Sequence, residues 1–145
     1  MRLMLDVNIF MDVILRREPH YENSALVMGL YANQEFDLFM PAHAAATIIY
    51  LTARQTNHAV AVQALSRCMA VAHIAPLDES AVLRGLSYGF KDTEDAFVAS
   101  VAVGAKCDYI VTRNVKDFAK SPIPAISPTE LLNKIQSPLD AVGMG

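Results

Sequence analysis

Short apolar segments alternate along this chain with longer segments that have helical periodicity. The run from Arg2 to Asp6 has the composition of a buried strand, and Ile9 to Leu15 carries apolar residues at helical spacing. The alternation continues through the β-rich run Tyr109-Ile110-Val111 to a last helix that we predict to end at Ile135. Helical crossovers between strands favour a parallel sheet with both faces covered. The sequence therefore predicts an α/β fold, a three-layer α/β/α sandwich with a mainly parallel sheet of four to five strands.

The composition is that of one globular domain. The chain has 145 residues, of which 53% are hydrophobic, so it can bury a sizeable core and is not a disordered segment. We place the domain at residues 1–136 and expect a flexible C-terminal tail at 137–145. The formal net charge of −3 gives no broad basic field for nucleic acid but leaves room for a local one. Cys68 and Cys107 have no CxxC spacing, which indicates reduced thiols.

The sequence also bears on location and assembly. No uninterrupted apolar run has the length of a membrane span, and Asp6 comes too early for the apolar segment of a signal peptide. We therefore expect a cytoplasmic protein that does not enter a membrane. Only 19% of the residues are charged, which suggests surface buried in an oligomer, although a sheet flanked by helices also explains it.

Acidic residues stand at the ends of predicted strands and helices that are far apart in the chain. Asp6 closes the first strand, Asp92 and Asp95 open the most apolar helix, and Asp117 follows a strand after a short polar turn. Because strand carboxyl ends and helix N-termini gather at one edge of a parallel sheet, we expect these carboxylates to converge. They would repel one another without a cation, and oxygen-only clusters suit Mg²⁺ or Mn²⁺. The pattern indicates a metal-dependent enzyme that acts on a phosphate ester.

Each of these acids also has a simpler structural interpretation. Asp6 can cap the helix that follows it, and Asp92 with Asp95 resembles a capping box. The two roles can coexist, with Asp92 capping the helix and Asp95 binding metal. Because residues three apart share a helix face, Asp92 and Asp95 are predicted to point the same way and Glu94 elsewhere. Asp12 is expected to face solvent.

A polar turn follows the β-rich run and carries several groups that can meet metal or phosphate. Within six residues it holds a hydroxyl, a guanidinium, an amide, an ammonium and a carboxylate: Thr112, Arg113, Asn114, Lys116 and Asp117. Asn114 or Asp117 can bind a metal, and Arg113 or Lys116 can meet a phosphate. The alternative is an ordinary polar turn with solvated charges. Asn8, beside Asp6, can orient a water or simply begin the helix, and the four histidines share no zinc-ligand spacing.

Taken together, these residues resemble the PIN-domain family, the metal-dependent ribonuclease fold found in VapC-type toxins of bacterial toxin–antitoxin pairs. The matching segments are Leu5-Asp6-Val7-Asn8, Asp92-Thr93-Glu94-Asp95-Ala96, and Val111-Thr112-Arg113-Asn114 through Asp117-Phe118. They occur in the family's order and at family-like spacing, so the resemblance covers the chain up to about Ile135.

The resemblance implies a mechanism and a set of roles. Asp6, Asp95 and Asp117 would be the catalytic acids, and together with Asp92 they would bind one or two Mg²⁺ or Mn²⁺ ions. The residues implied to position substrate or water are Asn8, Thr112, Arg113 and Asn114. A metal-activated water would attack the scissile phosphorus of single-stranded RNA in line with the leaving oxygen.

The chain departs from the family pattern at one position. The family usually carries a Glu in the helix after the second strand, whereas Pro41 to Tyr50 contains no acid and Thr47 stands in the place of that Glu. One carboxylate fewer is expected to weaken metal binding, with Asp92 compensating in part. A non-cutting PIN-like module that binds RNA or protein is therefore an alternative. A distant alternative is a phosphatase with Asp6 as nucleophile, although Asn8 stands where that class carries a second Asp.

The resemblance also implies partners. PIN-like toxins are often homodimers whose antitoxin wraps the substrate groove. The predicted helices Tyr21–Asn33 and Ala42–Ala53 have apolar faces that suggest more buried surface than one domain needs. We predict a homodimer with an antitoxin partner, and we expect Arg16 and Arg17 near the rim of the groove.

Overall fold

The computed structural model describes the backbone of residues 1–144 and the side chains of residues 1–136. Within these residues the strands are β1 (Arg2–Leu5), β2 (Asp37–Pro41), β3 (His73–Ala75), β4 (Tyr109–Val111) and β5 (Ala125–Ile126). The helices are α1 (Val7–Ile14), α2 (Tyr21–Gly29), α3 (Ala42–Gln55), α4 (His58–Val71), α5 (Glu79–Leu86), α6 (Thr93–Gly104) and α7 (Pro128–Met144), with 3-10 turns at Leu30–Ala32 and Val115–Phe118. The side chains of the predicted tail, 137–145, lie outside the described residues, so its flexibility stays a prediction.

The strands form one parallel sheet with β1 at its centre. Their order is β3-β2-β1-β4-β5, and Met4 of β1 lies opposite Phe39 of β2 on one side and Ile110 of β4 on the other. Every pairing among the described strands is parallel, and helices connect β1 to β2, β2 to β3 and β3 to β4. The predicted α/β/α fold with a mainly parallel sheet is confirmed.

Both faces of the sheet are buried. Leu3 and Leu5 pack on one face with side chains from α1, α2 and α3, whereas Met4 packs on the other face with side chains from α6. Successive strand residues point to opposite faces, so a strand covered on both sides needs a continuous apolar run. This explains why β2 carries the uninterrupted buried run Leu38–Pro41.

The parallel arrangement brings four chain segments to one edge of the sheet. Asp6 follows β1, the first turn of α3 follows β2, and the turn Val115–Phe118 follows β4. The Asp6 amide donates to the Val111 carbonyl at 3.0 Å, which fixes the exit of β1 beside the exit of β4. The N-terminus of α6 completes the group.

In the described part of the chain, no helix combines the length and the apolarity needed to cross a bilayer.

Candidate active site

A cavity of about 250 Å³ lies at the carboxyl edge of the sheet. Its walls come from the end of β1, the start of α3, the first turn of α6 and the turn after β4. The acidic residues that line it are Asp6, Asp92, Glu94, Asp95 and Asp117, and the other polar residues are Asn8, His43 and Asn114. The four acids predicted as metal ligands therefore border one cavity, although more than a hundred residues separate the first from the last.

Asp6 is held firmly at the base of this cavity. Its Oδ1 accepts from the Val7 amide at 2.8 Å, and its Oδ2 accepts from the Thr112 hydroxyl at 2.9 Å. The residue is only 6% exposed, and burial raises the pKa of its carboxyl while the two hydrogen bonds act in the opposite direction. Asp6 thus caps α1 and still borders the cavity, so the structural and the functional interpretation are compatible.

Thr112 is fully buried, and its hydroxyl links two residues of the site. Besides donating to Asp6, the Thr112 Oγ1 accepts from the Asn114 amide at 3.1 Å. A side chain buried in this way orients the Asp6 carboxylate and does not meet a substrate directly. Asn114 itself is exposed and lines the cavity, so its amide group is free to contact a bound molecule.

Asp92 and Asp95 occupy the N-terminus of α6 as the sequence pattern predicts. Asp92 is the N-cap residue, and its Oδ1 accepts from the Asp95 amide at 3.2 Å. The pKa of Asp95 is raised to about 7, first by burial and then by the neighbouring charges of Asp92, Asp6, Asp117 and Glu94. The carboxylates are therefore close enough to repel one another, and Asp95 is the one that carries most of that repulsion.

The prediction that Glu94 points away from Asp92 and Asp95 is wrong, because Glu94 lines the same cavity. Side chains on a helix lean toward its N-terminus, so first-turn residues can reach a cavity that lies beyond the helix end. The rule that residues three or four apart share a helix face holds inside a helix, where each side chain has neighbouring turns on both sides.

His43, on the first turn of α3, faces the acids across the cavity. Its Nδ1 is buried without a hydrogen-bond partner among the described residues, and its ring meets Phe97 edge-on with centroids 6.3 Å apart. Burial lowers the pKa of His43, and the nearby Glu94 partly offsets that effect. His43 follows β2 as Asp6 follows β1, so the same topological rule places both residues at the carboxyl edge of the sheet.

Thr47 lies one turn further along α3 and is not part of the cavity lining. It is half-buried, and its hydroxyl donates to the His43 carbonyl at 3.5 Å. At this position the chain therefore offers an internal helix hydrogen bond in place of a carboxylate. The interpretation that Thr47 replaces the family's Glu stays a prediction.

Arg113 does not face the cavity. Its Nε lies 3.0 Å from Asp12 Oδ2, and its Nη2 donates to Asp12 Oδ1 at 3.2 Å. Asp12 is completely buried and also accepts from the Ser24 hydroxyl at 3.0 Å, so the expectation that it faces solvent is wrong. The guanidinium is committed to this buried carboxylate, which corrects the assignment of Arg113 as a phosphate or water ligand.

Asn8 and Arg17 lie at the rim of the cavity. Asn8 lines the cavity, and its Oδ1 accepts from Arg17 Nη1 at 3.3 Å. This contact places Arg17 beside the cavity, as expected. Arg16 instead packs its guanidinium over the Tyr21 ring, 5.2 Å from the centroid.

A sequence profile of the family described as the PIN domain matches residues 2–116. The chain belongs to the PIN domain family. The match confirms the resemblance drawn from the three acidic motifs, and it includes every residue of the cavity except Asp117. No protein of curated function matched the sequence.

Several solved structures have similar folds, among them VapBC complexes and the toxin VapC20. VapBC2 of Rickettsia felis bound to a promoter DNA fragment is 18% identical, with a TM-score of 0.68. The superposition covers 88% of this chain and 98% of the Rickettsia chain. VapBC-1 of nontypeable Haemophilus influenzae is 18% identical, with a TM-score of 0.68 and with 89% of this chain and 99% of that chain covered. Mycobacterium tuberculosis VapC20, described as a sarcin-ricin loop cleaving toxin, is 12% identical, with a TM-score of 0.60 over 74% and 86%. At such identities the likeness establishes the fold alone.

The cavity of this PIN domain has the donor chemistry of a hard-cation site. Its acidic lining supplies oxygen ligands only, which suits Mg²⁺ or Mn²⁺. Within the described residues, no three His, Cys, Asp or Glu side chains form a ready-made metal site, so the carboxylates would have to draw together around an ion. The observation that fits a cation is that five carboxylates share one cavity, because a positive charge would relieve the repulsion between them.

We expect the metal-free PIN domain to lose stability as the pH rises through the pKa of Asp95. The folded pKa is about 7 against an ordinary value of 3.8, so the stabilising contribution is complete below about pH 4 and is lost by about pH 7. Because Asp95 is only half-buried and water screens its neighbours, the free energy of unfolding should fall by on the order of 1–2 kcal/mol.

Chemical denaturation of the EDTA-treated protein at several pH values measures this loss. The Asp95→Asn variant should lack it, whereas Asp78→Asn, the same change at the N-cap of α5, should keep it. His43, whose lowered pKa acts in the opposite direction, is present in both variants and cancels in the comparison. Identical pH profiles for wild type and Asp95→Asn would show that the carboxylates do not interact.

Proposed function

We propose that this PIN domain is a Mg²⁺- or Mn²⁺-dependent ribonuclease that cleaves single-stranded RNA, as the toxin of a toxin–antitoxin pair. The observation that carries the proposal is the convergence of Asp6, Asp95 and Asp117 with Asp92 and Glu94 on one cavity. Such a cluster does not stabilise the fold, because unpaired carboxylates that share a cavity raise its free energy. A cluster retained at the carboxyl edge of a parallel sheet lies where ligands bind in this class of fold.

The proposed metal ligands are Asp6, Asp92, Asp95 and Asp117. When bound, the cation supplies positive charge that stabilises the scissile phosphate in the transition state and lowers the pKa of an attacking water. Asp6 is the best-oriented of these acids, because the Thr112 hydroxyl and the Val7 amide fix both of its oxygens. Asp95 lies at the N-terminus of α6, where the helix dipole favours an anionic substrate.

The neutral side chains of the cavity would position the reactants. Asn8 and Asn114 line it from opposite segments, and each amide can both donate to a phosphate oxygen and accept from a water. The water oxygen attacks phosphorus in line with the leaving oxygen, the water's proton is released, and the leaving oxygen takes up a proton. A single strand can bend its phosphate into a recessed acidic cavity, whereas a duplex holds its phosphates away from it.

The structural neighbours support the toxin role at the level of fold. Several are VapBC complexes, some of them bound to DNA, and one is described as cleaving the sarcin-ricin loop. By analogy we propose that this PIN domain pairs with an antitoxin. The family match gives no support to the phosphatase alternative.

A non-cutting PIN module that binds RNA or protein is the second candidate. Its support is the prediction that Thr47 stands where the family usually has a Glu, because Thr47 supplies no carboxylate. Metal binding separates the two candidates less well than cleavage does, because a degenerate site can still hold a cation.

Cleavage of single-stranded RNA is the test of the proposal. Incubation with Mn²⁺ or Mg²⁺ should shorten a labelled single-stranded RNA, EDTA should stop the reaction, and excess Mn²⁺ should restore it. A duplex of the same sequence should be cut more slowly. RNA binding without cleavage in either metal would favour the non-cutting module.

We also propose that the PIN domain forms a homodimer. Leu26 on α2 and Tyr31 on the 3-10 turn that follows it are 53% and 54% exposed, and Tyr50 on α3 is 60% exposed. Beside Tyr50, an apolar cleft of about 730 Å³ opens between α3 and α4. An exposed apolar surface of this kind is typical of interfaces.

Light scattering should give a dimeric mass at micromolar concentration. The Tyr50→Asp variant should be monomeric, because an interface centre does not tolerate an unpaired charge. Leu83→Asp is the matched control, since Leu83 on α5 is 62% exposed but lies outside this surface. A monomeric mass for the wild type at all concentrations would refute the dimer.

A further inference from the structure

A second cavity, of about 420 Å³, adjoins the acidic one. The two share Asp92, Asp95 and Asp117 as a common wall. The other lining residues of the second cavity are mainly basic and aromatic: Lys91, Lys116, Lys120 and Phe90. The acidic cavity therefore lies directly beside a group of three lysines.

The lysines are concentrated here beyond what the composition provides. The whole chain has five, Lys91, Lys106, Lys116, Lys120 and Lys134, and three of them line this one cavity. Although the protein has a net charge of −3, most of its lysines therefore lie beside the proposed catalytic acids. Such local concentration matters, because a net negative protein otherwise repels a polyanion.

These ammonium groups do not neutralise the acids next to them. Across residues 1–136, the ion pairs closer than 4.0 Å are Arg2–Asp37 and Arg113–Asp12, and neither involves a lysine of the cavity. Lys120 Nζ donates to the Gly89 carbonyl at 2.9 Å, which leaves its remaining protons available. Lys91 and Lys116 are exposed and make no side-chain hydrogen bond to any described residue, so they can accept an anionic ligand without breaking an existing contact.

Phe90 gives the cavity an aromatic wall. Its ring is half-buried, with Phe118 packed edge-on at 6.1 Å and Tyr88 tilted against it at 6.1 Å. These contacts fix the ring while part of it still faces the cavity. A positively charged groove beside a fixed aromatic ring is the combination that binds single-stranded nucleic acids, through backbone phosphates and a stacked base.

We propose that this second cavity, the lysine cavity, is a binding subsite for the RNA segment adjacent to the cleaved bond. Lys91 and Lys116 each contact a backbone phosphate, and Phe90 stacks on a neighbouring base. The subsite rests on the proposed function, because it assigns a substrate segment to the ribonuclease site. The proposed subsite also defines the path of the RNA. The RNA extends from the acidic cavity towards Lys120 and not towards Arg17.

RNA binding by paired charge variants tests the subsite. All variants carry Asp6→Asn, so that no cleavage disturbs the measurement, and a labelled single-stranded RNA is titrated at several salt concentrations by fluorescence anisotropy. The Lys91→Gln/Lys116→Gln variant should bind roughly tenfold more weakly at low salt. Its slope of log affinity against log salt should be smaller by about 1.4, since each lost phosphate contact on a single strand removes about 0.7.

The Lys106→Gln/Lys134→Gln variant is the matched control. It loses the same two charges at positions that do not line either cavity, so its affinity and salt slope should stay close to those of the parent. Equal losses in the two variants would reveal a general charge effect and overturn the subsite, as would unchanged binding in the first variant. Melting temperatures of both variants verify that each remains folded.

The outcomes also separate the subsite from the ribonuclease proposal. Metal-dependent cleavage by the wild type combined with lysine-independent binding would refute the subsite and leave the enzyme. Lysine-dependent binding in the Asp6→Asn background, combined with a wild type that never cleaves RNA, would refute the enzyme, while the lysine cavity would remain an RNA-binding surface.

Discussion

Replacing Asp6 with Asn should reduce RNA cleavage by roughly 10²–10³-fold, the usual effect of removing one group that stabilises charge in a transition state. Asn keeps the size of Asp and an oxygen that can accept from the Val7 amide, so the cap on α1 survives. What it loses is the negative charge that we propose to hold the cation. Because burial already raises the pKa of Asp6, removing that charge should leave the metal-free protein at least as stable as before.

Initial rates of single-stranded RNA cleavage in saturating Mn²⁺ measure this effect. Asp78→Asn is the control, since Asp78 caps α5 in the same way, with its Oδ1 accepting from the Ala81 amide at 2.9 Å, but lies away from the cavity. It should cleave at the wild-type rate. Asp6→Asn activity within a few-fold of wild type would show that the acidic cavity is not where the reaction occurs.

The sequence predicted the convergence of the acids because that convergence follows from backbone topology. Once the strands are parallel, their carboxyl ends share an edge, and Asp6 and the turn before Asp117 must lie there whatever the side chains do. Helix capping placed Asp92 at the start of α6 by an equally local rule. These predictions needed no knowledge of which side chains meet across the fold.

The interpretations that failed depend on contacts between distant segments. Helical periodicity places Asp12 on the polar side of α1, and nothing within α1 indicates that Arg113, 101 residues later, reaches it in the folded protein. Glu94 failed for a different reason, because its direction depends on the lean of side chains at a helix end and on how the first turn of α3 closes the cavity. Short motifs fix residue types and positions, whereas partners depend on packing.

Arg113 supplies the largest expected effect on stability. Asp12 is fully buried, and besides the guanidinium its only side-chain partner among the described residues is the Ser24 hydroxyl. Arg113→Met should therefore leave Asp12 as a buried carboxylate without a cationic partner. The free energy of unfolding should fall by about 3 kcal/mol, which is the low end of the range for a broken buried ion pair. The low end applies because the Arg113 side chain keeps 25% of its surface exposed.

Urea denaturation of three variants separates this structural role from the phosphate-binding role that the sequence suggested. Asp12→Leu/Arg113→Met removes both charges and should recover much of the loss, because an apolar pair can replace a buried ion pair. Asp37→Asn breaks the exposed pair with Arg2, whose atoms are 3.8 Å apart, and should cost no more than about 1 kcal/mol. If Arg113→Met instead kept full stability and lost RNA affinity, the guanidinium would serve the substrate and its contact with Asp12 would be incidental. The burial of that contact argues for the structural role, since a guanidinium that donates one hydrogen bond to a fully desolvated carboxylate and lies 3.0 Å from its other oxygen is not available to a passing phosphate.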